Sequence, residues 1–232
     1  MHKQGTIHLV VGYAGTGKDT LCRIVQQGYT LAPKEFRGYW WRIYALPGTN
    51  APRFGRVTRV AFADALKETV VRKIGLPSRN ATLSAAQNPI WPQYEQQKNT
   101  LRIKNDAGQM VTLRQHYIEY GQSKKLEDPQ YWCKVALDPY KDQKVELFNT
   151  DPRFPVEVKY AEDTFEFVPT YRVFRANVRI AEPVPVEDPE HSLDALQTNY
   201  LLVPTEVDFE VAVKLFPQYK DYVCRWFIGP NH

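Results

Sequence analysis

The chain has 232 residues, 43% of them hydrophobic and 24% charged, with a formal net charge of +4, which suits one large α/β domain of ordinary globular composition. No apolar run is long enough to span a bilayer, and the lysines and arginines form no block that would mark nucleic acid as a primary ligand. Three widely separated cysteines, Cys22, Cys133 and Cys224, make neither a disulfide framework nor a paired zinc motif, and no export signal precedes the first apolar run, so reduced thiols in the cytoplasm are expected.

Ile7–Val11 is a compact apolar run ending at glycine and reads as a buried parallel strand. From Thr20 to Gln27 the spacing predicts a helix with Leu21, Ile24 and Val25 on one side. Residues 31–56 are punctuated by Pro33, Gly38, Pro47, Gly48, Pro52 and Gly55, and read as a loop or hairpin insertion. Within it, Tyr39-Trp40-Trp41 is open to burial against the domain or to a subunit contact, which would make a homodimer. Val57–Phe62 reads as a second strand. It leads into a helix with Asp64 at its start and Leu66, Val70 and Ile74 on one face, stopped by Gly75 and Pro77.

Residues 80–104 are polar and read as irregular or a short helix. Leu113–Tyr120 is predicted helical and capped by Gly121, and Trp132, Val135 and Ala136 mark another helix, closed by Pro139. Val145–Phe148 is a predicted strand entering Asp151-Pro152-Arg153. Thr164–Val168 and Tyr171–Ile180 alternate as a hairpin would, turning at Pro169-Thr170. A Pro-rich acidic stretch at 181–194, with Arg179 just before it, gives residues 179–194 the position of a lid. Tyr200–Val203 and Phe209–Phe216 complete the pattern as a strand and a helix. Strands alternating with helices point to a single α/β domain whose mainly parallel sheet is covered on both faces.

The strongest chemical signal is Gly12-Tyr13-Ala14-Gly15-Thr16-Gly17-Lys18-Asp19-Thr20. Its G-x-x-x-x-G-K spacing follows an apolar strand and opens a helix, which is the context a phosphate-binding loop needs. Gly12, Gly15, Thr16 and Gly17 would turn backbone N–H groups toward a polyphosphate, the helix N-terminus would favour the anion, and Lys18 would reach the terminal phosphates. Asp19 occupies the place of the usual hydroxyl residue, which comes one position later as Thr20. Asp19, through water, and Thr20 are therefore the candidate Mg²⁺ ligands, with phosphate binding as the competing role for Thr20 and a plain first-turn acid as that for Asp19.

The string Gly17-Lys18-Asp19-Thr20 resembles deoxynucleoside monophosphate kinases of bacteriophages and large DNA viruses. Phe62-Ala63-Asp64-Ala65-Leu66-Lys67, Arg114 through Tyr120-Gly121, Asp128-Pro129-Gln130-Tyr131-Trp132, Asp151-Pro152-Arg153-Phe154-Pro155-Val156-Glu157 and His191-Ser192-Leu193-Asp194 are similar to that family's stretches in the same order. The resemblance implies a three-layer P-loop kinase fold, ATP and Mg²⁺, and transfer of the γ-phosphate to a deoxynucleoside monophosphate, in the host cytoplasm for a viral protein. It implies catalytic roles for Arg114, Asp151 and Arg153 beside Lys18 of the loop, and acceptor contacts for Asp64, Lys67, Arg114, Trp132, Asp151 and Arg153; Arg179 joins the catalytic candidates by its position before the lid-like stretch alone. Arginine suits the task because its planar fork grips two phosphate oxygens at once. Competing roles stand beside these: an ion pair for Arg153 with Asp151 or Glu157, a solvated charge for Arg114 and Arg179, a helix cap for Asp64, and core packing for Trp132. The loop, the Asp-Pro-aromatic helix and the Asp-x-Arg are also similar to animal-type phosphomevalonate kinases. A non-catalytic nucleotide-binding protein is the reading from outside the enzymes.

Overall fold

The computed structural model describes residues 3–35, 40–74, 96–177 and 191–231, and the chain divides into two compact units: Met1–Val60 with Tyr140–His232, and Ala61–Pro139. The first unit holds an eight-stranded sheet. Its strands are β1 (Thr6–Val11), β2 (Tyr29–Pro33), β3 (Trp41–Ala45), β4 (Thr58–Val60), β7 (Glu146–Asn149), β8 (Thr170–Val173), β9 (Tyr200–Val203) and β10 (Val223–Pro230). The spatial order is β2-β10-β3-β9-β8-β1-β7-β4. β4, β7, β1, β8 and β9 run parallel, and β3, β10 and β2 extend the sheet by antiparallel pairing. The sheet is thus mixed and mostly parallel, in an α/β fold.

Among the parallel strands the chain goes from β1 to β4 and β7 on one side, then crosses to β8 and β9 on the other. Strand order therefore reverses across β1, and in open α/β sheets ligands collect beyond the carboxyl ends of the strands at such a point. Alternation along each strand sorts the core into two layers. Tyr200 and Leu202 of β9 pack with Leu21, Ile24 and Val25 of helix α1 (Lys18–Gln27). Leu201 and Val203 pack with Ala212 and Phe209 of helix α6 (Glu206–Leu215) on the opposite face. Both faces of the sheet carry a helix.

Between β4 and β7 in the chain lies the second unit, with α2 (Phe62–Lys73), the hairpin β5 (Arg102–Lys104) and β6 (Met110–Thr112), α3 (Leu113–Glu127) and α4 (Tyr131–Leu137). The helix α5 (Pro155–Thr164) follows β7 in the first unit. Thr112 caps α3 by accepting from the Gln115 N–H at 3.1 Å, the usual service of a threonine at that position. No helix among the described residues is long and apolar enough to cross a membrane, and the three cysteines are free thiols.

Several expectations need correction. Residues 31–45 are not a hairpin insertion: β2 and β3 belong to the central sheet and are separated by β10, which the sequence reading did not anticipate. Pro33 fits because β2 is an edge strand, where a missing N–H is tolerated. Thr164–Val168 does not pair with Tyr171 onward as a hairpin. Phe167 makes only a parallel bridge to Thr6, and residues 155–164 form α5. Gly121 does not end a helix: α3 continues through it to Glu127. Its missing Cβ lets Leu66 of α2 approach, since a methyl there would stand 3.0 Å from Leu66 Cδ2. Of residues 80–104, those up to 95 lie outside the described residues, as do Tyr39, Gly75, Pro77 and 178–190.

Candidate phosphate-binding site

The loop between β1 and α1 is shaped by three glycines at positive φ. Gly12, Gly15 and Gly17 have φ of 142°, 79° and 105°, in the region that side chains disfavour. A Cβ at Gly12 would collide with the Val173 carbonyl oxygen, and one at Gly17 would lie 2.9 Å from the buried Trp41 ring. Thr16 is fully buried, and its hydroxyl donates to the Tyr13 carbonyl at 2.9 Å. Lys18 folds over the loop and donates to the Gly12 and Tyr13 carbonyls at 2.6 and 2.8 Å. The ammonium is thus held at the mouth of the turn, at the N-terminus of α1, where backbone N–H groups and the helix dipole favour an anion.

Asp19 stands in the first turn of α1 with its carboxylate largely exposed. It accepts from the Thr150 hydroxyl at 2.8 Å and lies 3.5 Å from Arg59. Thr150 follows β7, which pairs with β1, so the sheet itself brings the carboxyl end of β7 to the loop. Asn149, fully buried, accepts from the Asp151 N–H at 2.9 Å, while its amide nitrogen finds no partner among the described residues. Thr20 is partly buried one residue on from Asp19 in α1.

Arg153 is exposed, two residues past Asp151. Its backbone N–H and that of Phe154 donate to the Glu157 carboxylate, at 2.6 and 3.1 Å, so Glu157 caps α5. Pro155 at the first helical position completes that helix start. The Arg153 carbonyl accepts from the Ser192 hydroxyl, which ties the turn at 191–195 to this end of the sheet.

That turn is anchored in a polar cluster the sequence reading missed. The Tyr13 hydroxyl donates to Asp194 Oδ2 at 2.8 Å, and His191 Nδ1 lies 2.7 Å from the same oxygen. Arg172, only 2% exposed, reaches Asp194 at 3.5 Å, donates to the Tyr219 hydroxyl at 2.9 Å and donates to the Leu193 carbonyl. His191 is thus hydrogen-bonded within the cluster. A charged residue inside the apolar run Tyr171-Arg172-Val173 was the available signal, because a buried arginine needs partners.

Of the remaining sequence candidates, Asp64, Lys67, Arg114 and Trp132 lie in the second unit and Arg179 lies outside the described residues. Asp64 is in the first turn of α2, whose cap position is Ala61, so the capping role considered for it does not arise. Lys67 is partly buried on the same helix, and Arg114 is exposed at the start of α3. Trp132 is buried, with its indole N–H donating to the Gly121 carbonyl at 3.2 Å and its ring edge-on to Tyr131. It packs the unit and presents no face to a base. Of the aromatic trio, Trp41 is buried beneath Gly17 while Trp40 is exposed.

A cavity of about 500 Å³ opens at the other, amino end of the strands, lined by Gly5, Thr6, Arg56, Thr58 and Glu146 among others. The loop residues do not line it, and it lies away from the carboxyl ends where α/β sheets place their chemistry. Near it, burial and hydrogen bonding organise a second polar cluster. His8 Nε2 donates to Glu146 at 2.8 Å, leaving Nδ1 to accept from the Tyr171 hydroxyl at 3.0 Å. The His8 hydrogen bond, reinforced by the Gly55 N–H, holds the Glu146 carboxyl below its ordinary value. In α1, burial pushes the Cys22 thiol up to about 11, so it is a packing group and no nucleophile.

No family model matches the chain, and no curated protein sequence matches it significantly.

Proposed function

We propose that this chain is an ATP-dependent phosphotransferase with a P-loop kinase fold, moving the γ-phosphoryl group to a deoxynucleoside monophosphate to give the diphosphate and ADP. The observation that carries the reading is the loop Gly12–Thr20: three glycines at positive φ, two of them, Gly12 and Gly17, with no room for a side chain, and Lys18 drawn over the turn at the head of α1. The position of that loop, beyond β1 where strand order reverses, is the second support.

Transfer between phosphates asks little covalent work of a protein, because the acceptor oxygen is already nucleophilic; the site must align it and offset charge. In this reading the backbone of Gly12, Gly15, Thr16 and Gly17 cradles the ATP phosphates, and Lys18 and Thr20 bind them. Mg²⁺ would supply charge neutralisation on the phosphate oxygens. It takes few protein ligands beside phosphate, and the exposed Asp19 carboxylate with Thr20 fits that need. Asp151 and Arg153, at the carboxyl end of β7, organise transition-state charge. Asp64, Lys67 and Arg114 are given to the acceptor by the resemblance alone.

The test is a calorimetric ATP titration in magnesium buffer, followed by a coupled ADP-release assay over a panel of nucleoside monophosphates and phosphomevalonate. Affinity with turnover on a deoxynucleoside monophosphate supports the proposal, and turnover on phosphomevalonate alone reverses the acceptor. The engagement of Asp19 by Arg59 and Thr150 favours one other reading, a nucleotide-binding protein without transfer. ATP affinity with no turnover on any acceptor would establish it. Lys18→Ala is expected to abolish turnover with the fold retained by circular dichroism; full activity would remove the loop from the mechanism.

A further inference from the structure

A second cation stands at the phosphate loop, one that the motif does not announce. Arg175 lies two residues past β8, the parallel neighbour of β1. Its guanidinium sits over the Trp41 ring, with Cζ 4.8 Å from the centroid. Trp41 is 0% exposed and lies directly beneath Gly17, and Arg175 Nη2 is 3.7 Å from where a Gly17 Cβ would be. Guanidinium, indole and glycine therefore meet at the N-terminus of α1, beside the residue that Lys18 follows.

Electrostatically this corner is one-sided. The positive end of α1, Lys18 and Arg175 converge there, while the nearest acid of the loop, Asp19, is engaged by Arg59 and Thr150. Arg175 forms no ion pair among the described residues, and its buried Nε has no hydrogen-bond partner among them, nor has the buried Trp41 Nε1. A part-buried cation next to a helix N-terminus, with no ion-pair partner among the described residues, is unfavourable on both counts. An incoming anion relieves both. The indole face fixes the plane of the guanidinium, and a fixed fork is suited to gripping two phosphate oxygens.

We infer that Arg175 is a phosphate-binding residue of this site, acting with Lys18 on the polyphosphate of a nucleoside triphosphate. The inference rests on the phosphate-loop reading above and adds to it a residue outside the motif. The experiment titrates ATP into the full chain and into Arg175→Met, Arg175→Lys and Lys18→Ala at two ionic strengths, following calorimetry and tryptophan fluorescence. Arg175→Met should bind ATP about 10- to 100-fold more weakly, the scale of a lost charge-assisted hydrogen bond. Its affinity should also depend less steeply on salt, and its fluorescence response to ATP should shrink. Arg175→Lys keeps the charge without the fork, should bind with intermediate affinity, and serves if the methionine variant does not fold. If the unsubstituted chain binds ATP and both Arg175 variants match its affinity or its salt slope, Arg175 merely packs and this inference fails while the loop reading stands. If the unsubstituted chain does not bind ATP, both fail.

Discussion

Gly12 and Gly15 look alike in the motif but differ in what surrounds them. Gly12 is pressed against the Val173 carbonyl and has a positive φ, whereas Gly15 has a positive φ with nothing within 4 Å of its would-be Cβ. Gly12→Ala should therefore lower the melting temperature and eliminate ATP affinity. Gly15→Ala should show only the conformational cost of about 1–2 kcal/mol, measurable as a small shift in a denaturant midpoint. Equal effects would mean the loop relaxes freely. The turn at 191–195 gives a second residue-scale prediction. Asp194→Ala would leave the nearly buried Arg172 without its carboxylate, at a cost on the order of 2–3 kcal/mol. Asp194→Asn should recover part of that, and an unchanged melting curve for the alanine variant would refute the anchoring role. At this scale the sequence was readable where a motif fixes the spacing, as at Gly12–Thr20. It was mute about Arg59, Thr150 and Arg175, because their place at the loop depends on which strands become neighbours.

Elements were legible where a period or a cap is written locally. The strand Thr6–Val11 and the helix Lys18–Gln27 lie within a residue or two of expectation. Helix α5 was missed although Pro155 and Glu157 stand at its first and third positions, a start signal in its own right. The β5–β6 hairpin was missed as well, although Asn105 folds its turn by accepting from the Ala107 and Gln109 N–H groups, a common turn device. Gly121 misled for a physical reason: glycine near a predicted helix end suggests a cap, yet here it is a contact surface between α3 and α2. Gly121→Val should thus destabilise by about 1–3 kcal/mol through overpacking against Leu66, read as a lowered urea midpoint. A gain in stability would show that the two helices separate without penalty.

For the whole molecule, the parallel half of the sheet followed from strand–helix alternation, while the antiparallel half did not. β2, β3 and β10 are joined by pairings between residues about 200 positions apart, such as Trp226 with Pro33, and no local pattern encodes such a partner. The core of this sheet also carries an acid-sensitive cluster. Glu146 accepts from His8 and Gly55, with Tyr171 on the other side of the imidazole, and the His8 hydrogen bond holds its carboxyl below the ordinary glutamate value of 4.5. The stabilisation it gives is complete above that value and is lost as pH falls through the lower folded one. Melting temperatures measured from pH 6 down to pH 3 should fall on acidification, and the fall should be shallower in Glu146→Gln. Parallel curves for the two proteins would place the acid sensitivity elsewhere.

The position of β10 has a consequence for how the chain comes into being. Residues 223–230 lie between two strands made some 180–200 positions earlier, so during synthesis β2 and β3 wait with open hydrogen-bonding edges until nearly the last of these residues leaves the ribosome. Open edges of this kind recruit other chains. A nascent chain stalled before Val223 should then be held by chaperones or driven into aggregates, whereas one released after Pro230 should be free of both fates.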